Sequence, residues 1–294
     1  MANTLRKTIL LGIARLVFGR KRSIPEIRIF VEKSARLSGK IPKGIQAELV
    51  VINGINAECL FIDETSKDKV ILYLHGGGYV SGSIQSHRVL CIPLVKHTGL
   101  RILTPEYRLA PEHPFPAALE DVLSVYRWLL EQGFESKNIF LAGDSAGGGL
   151  SLAAVLSLRE KGDPLPAGVI CISPWADLSL SGNTYRTNAK RDPMLRIDMM
   201  NEWSLAYADK SKHREPLVSP VYADYQDFPP LLIQVGSEEV LLDDARMIAE
   251  KAKAAGVEVS LSVYEGMWHV WHTFGTLLPE ARAAFEEIRQ FVDN

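Results

Sequence analysis

The sequence predicts an α/β fold in which a mostly parallel central sheet is covered by helices on both faces. Two observations carry this expectation. Short apolar runs at 70–74, 138–141, 169–172 and 231–235 have the length and composition of strands buried on both sides. Between and around them lie stretches of helical spacing at 86–98, 117–132 and 150–160, and strands that alternate with helices call for parallel pairing. With 294 residues, 47% of them hydrophobic, the chain can bury one sizeable core.

The remaining elements follow in order. Arg6 and Lys7 precede an apolar stretch from Ile9 to Phe18 that is broken by Arg15 and followed by Gly19-Arg20-Lys21-Arg22. With no A-x-A site after it, this is a poor signal peptide and too short to span a bilayer. Leu5, Ile9, Ile13 and Leu16 recur at helical spacing, so the stretch reads as a helix that packs on something, with the protein's own body favoured and a membrane surface as the minor alternative. Ser23-Ile24-Pro25 forms a cap and first turn for a helix over 26–37. Residues 45–62 alternate around Asn53-Gly54, a hairpin signal. A strand is expected at 101–104. The alternation breaks at 180–220, where Tyr185, Met194, Met199, Met200, Trp203 and Tyr207 lie among charges and helix formers with no strand-like run. It resumes with the strand at 231–235, a helix to 255, a strand at 257–263 and a helix at 279–292.

The net charge of -2 and the sequence pI of about 6.4 give no reason to expect a nucleic-acid partner. The cysteines, Cys59, Cys91 and Cys171, are odd in number and widely spaced, which suggests reduced thiols and a cytoplasmic location. Neither a metal-ligand cluster nor a phosphate-binding loop is present in the pattern, so no cofactor is expected.

The strand at 138–141 leads into Gly143-Asp144-Ser145-Ala146-Gly147, a G-x-S-x-G turn opening a helix. This is the pattern of a nucleophile elbow, which projects a serine hydroxyl from the sheet while helix N–H groups face a developing oxyanion. In α/β-hydrolases the acid and then the histidine base follow the serine in chain order. Only His269 and His272 follow the last strand, and the loop reaches His269 first, so His269 is the expected base. His87, His97 and His213 read as surface or packing residues, and His75 and His113 as structural parts of loops. After the strand ending at Val235, four carboxylates compete for the acid. Asp243 and Asp244 suit a helix first turn, whereas Glu238 and Glu239 lie in the loop at the C-terminal sheet edge. His75-Gly76-Gly77-Gly78 leaves the same edge and offers unobstructed backbone N–H groups.

Together these residues resemble the hormone-sensitive-lipase-like esterases (family IV carboxylesterases) of the α/β-hydrolase fold. The resemblance rests on His75-Gly76-Gly77-Gly78-Tyr79, on Tyr107-Arg108-Leu109-Ala110-Pro111-Glu112 with Pro114-Phe115-Pro116-Ala117, on Gly143-Asp144-Ser145-Ala146-Gly147-Gly148, on Ser173-Pro174-Trp175 and on Gly266-Met267-Trp268-His269. It implies a cofactor-free serine carboxylesterase with Ser145 as nucleophile, His269 as base and Gly77, Gly78 and Ala146 as oxyanion donors. Asp144 matches the family's elbow aspartate, a brace for the loop. The family usually carries Asp-Pro-x-x-Asp-Glu after the acid strand. Here Glu239-Val240-Leu241-Leu242-Asp243-Asp244 takes those places, which puts Glu239 at the acid position.

The resemblance further implies a helical cap, built from N-terminal helices (1–44) and an insertion (180–220), over a catalytic domain formed by 45–179 and 221–294. The expected substrate is a small-molecule carboxylic ester of short to medium chain, held near Tyr79, Asp144, Trp175, Met199, Trp203 and Tyr207. A lactone, acetyl or amide hydrolase would use the same residues. A ligand receptor on this fold, as in the plant gibberellin receptors, is disfavoured by an intact Ser145 and His269. Family members often pair their final strands across a homodimer, and that expectation extends to this chain.

Overall fold

The computed structural model describes residues 2–63, 65 and 68–294. Eight strands form one sheet in the order β1-β2-β4-β3-β5-β6-β7-β8: β1 (Gln46–Ile52), β2 (Ile55–Phe61), β3 (Val70–Leu74), β4 (Arg101–Pro105), β5 (Ile139–Asp144), β6 (Gly168–Ile172), β7 (Leu231–Gly236) and β8 (Val259–Tyr264). β2 runs antiparallel to β1 and β4; all other pairs are parallel. Every residue of β3, β5, β6 and β7 is buried, as their apolar runs require. The β1–β2 turn is Asn53-Gly54 with φ of 51° and 86°, the two left-handed positions of a tight hairpin, and it sets the register Ile52↔Ile55.

The helices are α1 (Ala2–Phe18), α2 (Ile24–Ser38), α3 (Ile84–Thr98), α4 (Ala117–Glu131), α5 (Ala146–Lys161), the short α6 (Thr184–Thr187), α7 (Ile197–Tyr207), α8 (Leu242–Ala254) and α9 (Pro279–Asp293). α3 starts two residues earlier than its apolar pattern because Ser83 caps it, its hydroxyl accepting from Ser86 N–H at 3.2 Å. β8 starts two residues late because Val257 N–H closes the end of α8 on Ala252 O at 3.0 Å. α1 packs on the body: Leu10 and Ala14 are buried with Met267, Trp268 and Trp271, and Lys7 Nζ donates to Glu265 O at 2.8 Å. Between 180 and 220 the described residues form helices and turns only.

β5 passes into α5 through Ser145, whose φ of 54° and ψ of -123° mark it as the strained residue of the turn. α5 must then cross close to β3. A Cβ on Gly147 would lie 2.0 Å from Leu74 O, so only glycine permits that crossing. Gly147→Ala is therefore expected to destabilise the fold by about 2–3 kcal/mol, the cost of overpacking a rigid contact. Urea unfolding would read this as a lower midpoint, and an unchanged midpoint would refute the close crossing.

Candidate active site

At the C-terminal edge of the sheet lies a cavity of about 380 Å³. Its base is formed by Ser145, Asp144, His269, Gly77 and Gly78. α1 and α2 contribute Phe18, Ile27 and Phe30 to its wall, and the 180–220 stretch contributes Met194, Met199 and Trp203. Ser145, the elbow residue, is 7% exposed.

His269 follows β8 in a tight turn. Its Nδ1 lies 2.9 Å from Glu239 Oε2. The carboxylate fixes the tautomer, because an ionised Glu239 only accepts; Nδ1 carries the proton and Nε2 keeps its lone pair. Glu239 is fully buried, and its second oxygen accepts from Gly236 N–H at 2.6 Å and Ser173 Oγ at 2.7 Å. Burial works against charging His269, but the bond to Glu239, its charge and those of Asp192 and Asp144 outweigh it. The imidazole pKa is raised above its ordinary value. The adjacent Glu238 turns away and pairs with Arg191 at 2.5 Å, so of the two glutamates only Glu239 meets the ring.

Gly77 and Gly78 have φ of 118° and 66°, and both face the cavity. A Cβ on Gly78 would fall 2.5 Å from the Trp203 ring, so α7 can close on this loop only over glycine. Ala146 opens α5 directly behind Ser145, at the helix end whose first N–H groups have no intrahelical acceptor.

Asp144 is buried beside the elbow and accepts from Tyr73 OH at 2.7 Å and Gly76 N–H at 3.1 Å. Burial opposes its ionisation, yet His87 and Tyr73 hold its pKa below the ordinary carboxylate value. His87 is no surface residue: it lines the cavity with its side chain 12% exposed and Nε2 3.5 Å from Asp144 Oδ2. Burial depresses its pKa, but Asp144, Ser83 and Glu106 raise it overall. The neutral ring accepts from Gly76 N–H at 3.1 Å; a proton on Nε2 would exchange that bond for Asp144. His75 stacks on Tyr107 with centroids 4.1 Å apart, and burial, with His87 adding to it, lowers its pKa to about 3.

Of the residues expected around the substrate, Met199, Trp203 and Asp144 line the cavity; Tyr79, Trp175 and Tyr207 do not. The Tyr79 and Tyr207 rings stack at 3.8 Å, Trp175 lies 6.1 Å from Tyr79, and all three are almost wholly buried. These rings pack on one another instead of facing the cavity.

Three residues absent from the expected site support it. Ser173 Oγ joins Glu239 to Val270 N–H. Asn188 Nδ2 donates to Glu239 O at 2.8 Å. Asp192 accepts from Met194, Leu195 and Val240 N–H, and burial raises its pKa to about 6 against the pull of His269. Ser173 stood in a noted motif, but Asn188 and Asp192 lie in an aperiodic stretch where nothing in the pattern marks them. Among the described residues, no group of three or more His, Cys, Asp or Glu side chains is placed to hold a metal, and the cysteines are free.

Sheet, elbow and buried acid–histidine pair define a hydrolase scaffold. A protein-family model described as an alpha/beta hydrolase fold matches residues 71–273. An acetyl-hydrolase from Streptomyces hygroscopicus is 47% identical over 224 residues, covering 76% of this chain and 75% of its own. The crystal structure of an esterase from the bacterial hormone-sensitive lipase family superposes with a TM-score of 0.93 at 41% identity, covering 99% of this chain and 98% of that one. EstE5, in a crystal soaked with p-nitrophenyl butyrate, gives 0.92 at 40% identity, covering 98% and 97%. The chain belongs to the hormone-sensitive-lipase-like esterases of the α/β-hydrolase fold.

The Asp144–His87 pair makes one prediction. Asp144→Asn removes the charge that raises His87, so the His87 pKa falls as burial comes to dominate. NMR titration of the imidazole would measure this; an unshifted His87 would show that the two are not coupled.

Proposed function

We propose that this protein is a serine carboxylesterase in which Ser145 is the nucleophile, His269 the general base and Glu239 the acid that orients it. The observation that carries the reading is the Glu239–His269 contact at 2.9 Å, on the same cavity as the strained serine. Ser145 Oγ attacks the ester carbonyl as its proton passes to His269 Nε2. Glu239 stabilises the imidazolium that forms. The carbonyl oxygen becomes an oxyanion and takes hydrogen bonds from the N–H groups of Gly77, Gly78 and Ala146, the last at the positive end of α5. Collapse expels the alcohol, which takes the proton from His269, and leaves an acyl-enzyme. Water, activated by the same histidine, releases the acid.

Residues 1–44 and 180–220 act in this reading as a cap over a catalytic body formed by 45–179 and 221–294, because both segments supply cavity wall. The cavity volume sits near the lower end of the range for ligand pockets, about 300–1,000 Å³. Together with a relative named acetyl-hydrolase and a neighbour soaked with a butyrate ester, this favours short to medium acyl chains. A homodimer would form at the open edge of β8, and cytoplasmic residence completes the proposal.

Ser145→Ala is expected to lower kcat by at least on the order of 10⁴-fold with the unfolding temperature preserved. Near-wild-type turnover would refute the nucleophile. Glu239→Gln should cost on the order of 10⁴-fold in kcat, and Glu238→Gln no more than about twofold. The pH profile supplies an independent sign. The base works as neutral imidazole, so kcat/KM rises with pH through the His269 pKa, above the ordinary imidazole value. Loss of the Glu239 charge leaves burial dominant and moves that limb to lower pH; a limb that stays put or moves up would dismiss Glu239. Across p-nitrophenyl esters, butyrate should exceed palmitate in kcat/KM by about tenfold or more, and the opposite ranking would reject the preference drawn from the small cavity.

A further inference from the structure

The outward face of α1 takes no part in the cavity. Leu10 and Ala14 turn inward, whereas Ile9, Ile13 and Leu16, at i, i+4 and i+7 on one stripe, are 54%, 46% and 68% exposed. On α2, Ile29 is 56% exposed and is followed at the same spacing by exposed Lys33 and Arg36. Charge singles out the same segment. Residues 1–44 contain eleven lysines and arginines against two glutamates, a net charge of +9. The rest of the chain contains 22 against 33, a net charge of -11. Some of these cations are bound internally, as Arg28 is to Glu112. Arg20, Lys21, Lys33, Arg36, Lys40 and Lys43 are all exposed, Lys21 at 3.8 Å from Asp198. An exposed apolar stripe inside a basic segment is the pattern of a helix that lies in a lipid–water interface.

We propose that the α1–α2 face docks on an anionic phospholipid surface. Ile9, Ile13 and Leu16 enter the boundary between headgroups and acyl chains, and the surrounding lysines and arginines meet the lipid phosphates. The docking is peripheral, because among the described residues no helix is long and apolar enough to cross a membrane. A second copy of the chain fits this face less well, since a two-fold contact would set one +9 segment against another. The location has a consequence for the reaction. α1 ends at Phe18, and α2 carries Ile27 and Phe30; all three line the cavity, so the helices that dock outward on lipid also supply, from other residues, wall to the site where apolar esters would arrive.

The test is co-sedimentation of the full-length protein with vesicles, a readout independent of the catalytic assignment. Vesicles of phosphatidylcholine with about 30% phosphatidylglycerol should capture the protein at low salt, those of phosphatidylcholine alone should capture little, and added salt should release it. The triple variant Ile9→Ser/Ile13→Ser/Leu16→Ser should lose about tenfold or more in vesicle affinity while hydrolysing a soluble butyrate ester at the wild-type rate. Lys33→Glu/Arg36→Glu, whose outward side chains make little demand on folding, should weaken capture without the apolar change. Failure of anionic vesicles to capture the wild type, or capture indifferent to lipid charge, overturns the proposal. So does a wild-type dimer that the triple variant converts to monomer, because the face would then be a contact between copies.

Discussion

A single buried carboxylate ties together the ends of three strands. Glu239 is wholly removed from water, a position that an unpaired charge could hold only at a cost of several kcal/mol. It is compensated three times: by Gly236 N–H at the end of β7, by Ser173 Oγ beyond β6 and by His269 beyond β8. Each partner sits where a parallel strand releases the chain, which is where loops in such sheets are free to build a site. The bonds that make the burial tolerable are thus the bonds that fix the imidazole. Removing any one of them unbalances a charge in a low-dielectric interior as well as loosening a loop.

A second buried carboxylate, next to Ser145 in the chain, braces the glycine loop. Asp144 receives the Tyr73 hydroxyl from β3 and the Gly76 N–H from the glycine loop, with His87 of α3 beside it. The strained serine therefore shares its cavity with two braced groups, the imidazole held by Glu239 and the glycine loop held by Asp144. Phe18, Ile27 and Phe30 from α1 and α2, and Met194, Met199 and Trp203 from the 180–220 stretch, add apolar wall to the same cavity. Asn188 and Asp192 then bind that stretch to the backbone around Glu239.

How much of this could be read beforehand follows from what each feature depends on. The buried strands, the Asn53-Gly54 hairpin and the Gly143–Gly147 elbow are local matters of composition and backbone freedom, so they were legible from sequence. The choice between Glu238 and Glu239 was weakly legible, because adjacent side chains point apart and only the fold decides which one points inward; Arg191, 47 positions away, takes the other. Aromatic side chains were the least legible. Tyr79 and Trp175 stand within motifs and Tyr207 within the insertion, yet whether such a ring faces a ligand or a neighbouring ring depends on packing between distant segments. For His87 the sequence left surface and packing open for the same reason: nothing near it in the chain announces Asp144, and the fold packs it there. Asn188 and Asp192 left no trace at all, since a polar residue in an aperiodic stretch looks solvated until its backbone partners are known.

The central claim is that one cavity joins an activated Ser145 to backbone donors and a carboxylate-held histidine. It is tested most directly by a p-nitrophenyl alkylphosphonate, which mimics the tetrahedral intermediate and leaves the nucleophile covalently marked. Intact-mass and peptide mass spectrometry should find one phosphonyl group per chain, on Ser145, with one p-nitrophenolate released and ester turnover lost in step. Label on another residue, or turnover that persists in a fully labelled protein, would contradict the account.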